Sequence, residues 1–324
     1  MKKILHTSTY TGAPWDILCS VVPDCFLIET LNSPTRDCLI SQVADADYLL
    51  VSGRLAIDKE VLEAAPRLKM IQRTGVGTEM LDLKEIKRRG IPVYVNAGVN
   101  ARSVAEHALM LILACLKRLP EINAQVHNGV WRKQATGITT HELHGKCVAL
   151  VGMGNIGRLV ATMLLAFGAK VVYSDIVRLP EDQEQRLGLT FFHEVERMLP
   201  IADVLSLHCP LTDDHVGMIN ARTIAKMKKG AIIVNTARGP LVNPDDLYDA
   251  IVSGHIRSAG LDTHFEEPIR ADYRLALLEN VILTPHIGGL SYESFASMMQ
   301  GAINNIVSFD SGDFAKIEDK RIRY

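Results

Sequence analysis

Metal and disulfide signatures are missing from this chain of 324 residues. Its six cysteines (Cys19, Cys25, Cys38, Cys115, Cys147 and Cys209) form no C-x-x-C pair and stand at no cysteine–histidine ligand spacing. No metal site or disulfide framework is expected, and reduced structural thiols in a cytoplasmic protein are. Charge of either sign is scarce in excess: the net value of −2 offers no footprint for nucleic acid or an anionic membrane surface. Long apolar runs are lacking too. The greasiest, Val104 to Leu116, carries Glu106 and His107 and is too short to cross a bilayer. The opening Met1-Lys2-Lys3-Ile4-Leu5 runs at once into His6 and polar residues, so no signal peptide is expected. What is present is 48% apolar and 22% charged residues, a globular composition at a length that suits two domains, each with its own core.

One stretch organises the rest. Cys147-Val148-Ala149-Leu150-Val151 is a β-branched apolar run that enters Gly152-Met153-Gly154-Asn155-Ile156-Gly157. A helical segment follows to Gly168, and Lys170-Val171-Val172-Tyr173-Ser174 closes on Asp175. Strand, glycine turn, helix, strand and acid in this order predict a dinucleotide site. Gly152 permits the turn, Gly154 admits a pyrophosphate close to the backbone, and Gly157 lets helix and strand pack. The helix start then turns its free N–H groups and positive dipole end to the phosphates. Asp175 stands where a carboxylate holds the adenosine ribose, which favours NAD; a 2′-phosphate beside it meets like charge. Arg178, three residues on, reads as a surface charge, and NADP is disfavoured.

Residues 1–95 alternate short β-rich runs with amphipathic helices, which predicts a parallel sheet covered on both faces. Strands are expected at Lys3–His6, Phe26–Glu29, Tyr48–Val51, Lys69–Gln72 and Val93–Val95, with helices at Asp58–Ala65 and Leu81–Arg89. The loop Arg73-Thr74-Gly75-Val76-Gly77 follows a strand and reads equally as a plain turn or as a backbone cradle for a carboxylate. A strong helix from Ala101 to Leu119, ended by Pro120, is apolar nearly all round and so joins two domains or enters a subunit interface. After Asp175 strands are expected at Val204–His208, Ala231–Asn235, Ser258–Thr263 and Val281–Thr284, with helices at Ala221–Met227, Pro244–Ser253 and Glu293–Phe309. The expected fold is α/β with two doubly wound parallel sheets: a Rossmann domain over residues 101–290 and a flavodoxin-like domain over 1–100 and 291–324, to which the last helix returns.

Arg238, Glu267 and His286 stand at or just past the ends of predicted strands, on one rim of the second sheet. Hydride exchange with a 2-hydroxy acid needs such a set. Arginine holds a carboxylate with a planar fork. Histidine takes or gives the hydroxyl proton near neutral pH. A carboxylate partner steadies the imidazolium and raises its pKa.

Taken together, Arg73–Thr78, Ser103–His107, Val151–Gly157, Leu207–Thr212, Val234–Gly239, Gly260–Asp262 and Thr284–Gly289 resemble the D-isomer-specific 2-hydroxyacid dehydrogenases, the broad group that includes phosphoglycerate dehydrogenases. The resemblance implies that Arg238 binds substrate, that His286 is the acid/base with Glu267 as its partner, and that Val76, Gly77 and Asn100 line the substrate site. It also implies that Asp262 faces the nicotinamide carboxamide, that Thr236 and Ala237 pass beneath the ring, and that Gly152, Gly154, Asn155, Ile156, Gly157, Asp175, His208, Pro210, His286 and Gly288 contact NAD. Its members are usually homodimers, with the helix after Asn100 in the interface, and lack a metal. Ser52-Gly53-Arg54 replaces an arginine common after the third strand, His264 replaces an aromatic residue, and Asn96-Ala97-Gly98 shortens a cleft loop. The chain ends at Tyr324, so no appended regulatory domain is expected. The competing roles are a dinucleotide-sensing corepressor, for which no peptide-docking extension is evident, and a methyltransferase, which leaves Arg238 and His286 without a task.

Overall fold

The computed structural model describes residues 1–53 and 55–323. Arg54, a candidate contact for a phosphorylated substrate, therefore lies outside the described residues. The chain folds as two compact units, Met1–Asn100 with Tyr292–Tyr324, and Ala101–Ser291.

In the first unit β1 (Lys2–His6), β2 (Phe26–Thr30), β3 (Tyr48–Val51), β4 (Met70–Arg73) and β5 (Val93–Tyr94) form a parallel sheet in the order β2-β1-β3-β4-β5. This is the flavodoxin-like order. β3 is buried at every position, Tyr-Leu-Leu-Val, as a central strand covered on both faces requires. One face packs on Leu39, Val61, Leu62 and Ile86. The other is filled by the last helix, Tyr292–Asp310, whose Met298, Met299, Ala302, Ile303 and Ile306 join Ile4, Phe26, Tyr48 and Tyr94 in one core.

In the second unit β6 (Cys147–Val151), β7 (Lys170–Ser174), β8 (Thr190–Phe191), β9 (Val204–Leu207), β10 (Ala231–Asn235), β11 (Ile256–Leu261) and β12 (Val281–Leu283) align in parallel as β12-β11-β10-β9-β6-β7-β8. Strand order reverses between β6 and β9, the crevice where doubly wound sheets bind nucleotides. The long helix Ala101–Lys117 covers one face through Ala108, Leu111, Ile112 and Cys115.

That helix does not reach Leu119. It stops at Lys117, Arg118 turns left-handed at φ 52°, and a new helix runs Leu119–His127 with Pro120 in its first turn. The proline starts a helix instead of ending one, because its missing N–H costs nothing there. The short edge strand β8 was not anticipated.

Candidate active site

Because all strands of the second unit run in parallel, their following loops share one rim. β6 delivers the glycine turn. Gly152 sits at φ 99°, and a Cβ there would lie 2.7 Å from the His208 carbonyl, so the turn presses directly on the residue after β9. A Cβ on Gly157 would lie 2.1 Å from the Gly152 oxygen. Gly154 is different: nothing stands within 4 Å of the Cβ it lacks. It caps the helix Asn155–Ala166 with no side-chain hydrogen bond, leaving an open cradle before the first helical amides, which is what a pyrophosphate needs. Asn155 is exposed and Ile156 half-buried.

Asp175, just past β7, accepts hydrogen bonds from the Met153 and Val177 N–H groups and so ties the glycine turn to the second strand. Arg178 is paired with Glu184 at 2.6 Å and lies over the Phe191 ring. His208 meets Ser206 Oγ through Nε2, while its Nδ1 is buried without a partner. Burial lowers its pKa to about 4. Pro210 is exposed. Thr236 and Ala237 are buried, and the Thr236 hydroxyl is another buried group without a partner. Two orphaned polar atoms beside an uncapped glycine turn fit a polar cofactor on this rim.

After β10 the buried Asn235 side chain takes the Ala237 N–H on its oxygen and donates to the Arg238 carbonyl, folding the turn that sets Arg238. The guanidinium also reaches the Ala237 carbonyl at 2.8 Å. Gly239 lets this turn close on the next loop: a Cβ there would stand 1.9 Å from the His264 carbonyl. The His264 N–H in turn donates to Glu267 Oε1 at 2.8 Å. Glu267 Oε2 lies 2.9 Å from His286 Nδ1, with the imidazole 43% and the carboxylate 17% exposed. Nδ1 is thereby committed to the carboxylate, and Nε2 is the ring atom left to exchange a proton with a ligand.

His286 has φ 57°, a left-handed backbone that costs a non-glycine residue about 1–2 kcal/mol. Asp262, 2% exposed, holds it there. One oxygen accepts from Thr284 Oγ1 and the Ile287 N–H, the other from the Gly288 N–H. Burial pushes the Asp262 pKa up, but His107, Thr284 and these two amides outweigh it and hold it at about 2. A 2-oxo acid reductase needs a dinucleotide cradle, a carboxylate-holding cation and a histidine–acid pair, and all three kinds of group lie along this rim.

The family model for the NAD-binding domain of D-isomer specific 2-hydroxyacid dehydrogenases matches residues 109–288. A glyoxylate reductase of Korarchaeum cryptofilum is 36% identical over 282 residues, 86% of this chain and 84% of that protein. The chain belongs to the D-isomer specific 2-hydroxyacid dehydrogenase family. As a family member it is an NAD-dependent oxidoreductase of CH–OH donors. A D-3-phosphoglycerate dehydrogenase of Mycobacterium tuberculosis is 40% identical over 82% of this chain, a match that spans half of that longer relative. The structure of D-lactate dehydrogenase from Aquifex aeolicus, complexed with NAD and lactic acid, superimposes with a TM-score of 0.83 at 30% identity, covering 99% of each chain.

Against this dehydrogenase framework, Val76, Gly77 and Asn100 belong to the first unit. Val76 is 48% exposed, and Arg73 pins its loop by donating to the Gly77 and Val51 carbonyls. Asn100 is half-buried. Sequence reasoning assigned no part to Asn235, Thr284 or His107, which shape the turns carrying Arg238 and His286. Ser103 and His107 stand four residues apart, hence on one helical face, and that spacing was the available signal. Among the described residues no metal-ligating cluster occurs and no helix is long and apolar enough to cross a membrane.

Proposed function

We propose that this dehydrogenase interconverts a small 2-oxo acid and its D-2-hydroxy acid, with Arg238 binding the substrate carboxylate and His286 exchanging the hydroxyl proton. The single observation that carries this is the His286–Glu267 pair at 2.9 Å. Bound NAD would supply or accept the hydride. During reduction the His286 Nε2–H gives its proton to the carbonyl oxygen as that oxygen gains charge. Glu267 keeps the ring oriented and stabilises the imidazolium when the direction reverses. Arg238 fixes the carboxylate with two parallel hydrogen bonds, which orients the carbon for transfer. Val76, Gly77 and Asn100 would add contacts to the acid, making residues 1–100 and 292–324 the substrate-binding unit.

NAD is preferred over NADP. Asp175 would take the ribose hydroxyls, and Arg178, engaged with Glu184 and Phe191, is drawn away from a 2′-phosphate. A homodimer is the proposed assembly. Met110, Leu119, Val126, Trp131 and Ile138 are all exposed by 46% or more on the long helix and the segment after it, an apolar surface that a second copy would cover. The six free thiols suit a reducing compartment.

The test is a spectrophotometric screen of NADH and NADPH consumption with glyoxylate, hydroxypyruvate, pyruvate, branched 2-oxo acids and 3-phosphohydroxypyruvate. His286→Ala is expected to lower kcat by about 10²–10⁴-fold with NADH binding retained, and Arg238→Ala to act mainly on KM. Wild-type turnover in His286→Ala would overturn the mechanism. Light scattering of the purified chain at the monomer mass would remove the dimer.

A further inference from the structure

The catalytic turn is clamped from behind by the first two turns of the long helix. His107 Nε2 lies 3.0 Å from Thr284 Oγ1 and 3.4 Å from Asp262 Oδ1. The Thr284 hydroxyl gives its own proton to Asp262, 2.6 Å away, so its lone pair faces His107 and the imidazole Nε2–H must donate to it. The order His107 Nε2–H to Thr284 Oγ1–H to Asp262 Oδ1 is therefore set. Asp262 accepts next from the Ile287 and Gly288 amides, the two peptide groups directly after His286. One helical turn before His107, Ser103 Oγ donates to the Gly288 carbonyl at 2.7 Å. The fit is tight: a Cβ on Gly288 would lie 2.8 Å from Asp262 Oδ2 and 3.3 Å from the His107 ring.

We propose that His107 is a positioning residue for proton transfer, which acts through Thr284 and Asp262 to hold the left-handed turn that aims His286. This rests on the dehydrogenase mechanism proposed above and extends it to a residue of the helix packed behind the catalytic turn. Left-handed backbone at an L-residue persists only where its surroundings over-determine it. Here the determining groups are two amide hydrogen bonds, and their acceptor is oriented by the helix. Loss of His107 removes the donor that orients the Thr284 hydroxyl and, through it, the Asp262 carboxylate, while Glu267 still pairs with His286.

The experiment compares His107→Leu and His107→Gln in the full-length protein, with His286→Ala as reference. A glutamine amide offers an N–H donor at similar reach, whereas leucine fills the space without one. His107→Leu should lower kcat by about ten- to a hundred-fold, the scale of a misplacement near 1 Å, with the Kd for NADH within twofold of wild type. His107→Gln should recover most of that loss. The ¹⁵N resonances of the His286 ring, assigned through His286→Ala, should shift in the leucine variant and return in the glutamine one. Unchanged kcat and unchanged His286 resonances in His107→Leu would overturn the assignment. So would equal impairment of both variants with NADH binding lost in parallel, the mark of a residue that merely packs. If the wild type turns over no 2-oxo acid, the proposed mechanism fails, and the His286 resonances still decide whether His107 positions that ring.

Discussion

Asp262→Asn removes one negative charge from a buried carboxylate whose oxygens accept from Thr284, Ile287 and Gly288. An asparagine places an NH₂ group where one of those donors points, so at least one buried donor loses its acceptor. The cost follows from the titration of the native group. Its pKa is held at about 2 against an ordinary 3.8, which corresponds to about 2 kcal/mol of preference for the ionised form. An unpaired buried amide costs about 1–3 kcal/mol by a separate route, and the two figures describe the same loss, so about 2–3 kcal/mol is expected. For a folding unit of this size that lowers Tm by about 5–10 °C. The sign of the pH dependence is also fixed. A carboxylate depressed in the folded state stabilises fully above its unfolded pKa near 4, and the benefit fades as pH falls toward 2. Urea unfolding of wild type and variant at pH 7, 4 and 3 should therefore show a wide gap that narrows with acid. Stabilities within about 0.5 kcal/mol at pH 7, the ordinary scatter of an uncoupled surface change, would refute the account of the turn.

Other outcomes follow from the same geometry. Gly152→Ala should destabilise the apoprotein, since its Cβ meets the His208 carbonyl at 2.7 Å on a φ of 99°, whereas Gly154→Ala, with nothing within 4 Å, should keep the native Tm and weaken NADH binding; thermal melts with and without NADH separate them, and equal melts for both would contradict the cradle. His6 and His208 are each held at about 4, mainly by burial, so the folded state binds fewer protons than the unfolded chain between pH 6.5 and 4. Stability should be level above pH 6.5 and decline below it, with a shallower decline in His208→Gln; a flat urea midpoint across that range would oppose this. Gly239→Ala, whose Cβ would overlap the His264 carbonyl, should displace the Arg238 turn and raise KM more than it lowers kcat, and an unchanged KM would count against it.

Much of this was legible because the relevant signals are local. The β-branched runs give the strands, the glycine turn lies within one βαβ unit, and Arg238 and His286 follow recognisable strand ends. The missing parts depend on contacts distant in sequence. Thr-Pro-His-Ile-Gly-Gly offers two better candidates for positive φ, its glycines, than a histidine before them, and only Asp262, fixed from 22 to 26 residues away, shows which residue turns. Asp262 was expected only to face the nicotinamide; that its carboxylate also anchors the following turn rests on these distant contacts. Pro120 looked like a helix stop because sequence does not distinguish a proline after the last turn from one in the first, and the left-handed Arg118 settles that. β8, two residues long, is too short to leave a periodicity.

The second unit is inserted into the first, and this imposes an order of events on synthesis. The apolar face of β1, β3 and β5 is covered by Met298, Met299, Ala302, Ile303 and Ile306, which leave the ribosome after all of Ala101–Ser291. The amino-terminal sheet waits with one side bare throughout synthesis of the nucleotide unit, so nascent chains that end before Met298 are species that chaperones should capture.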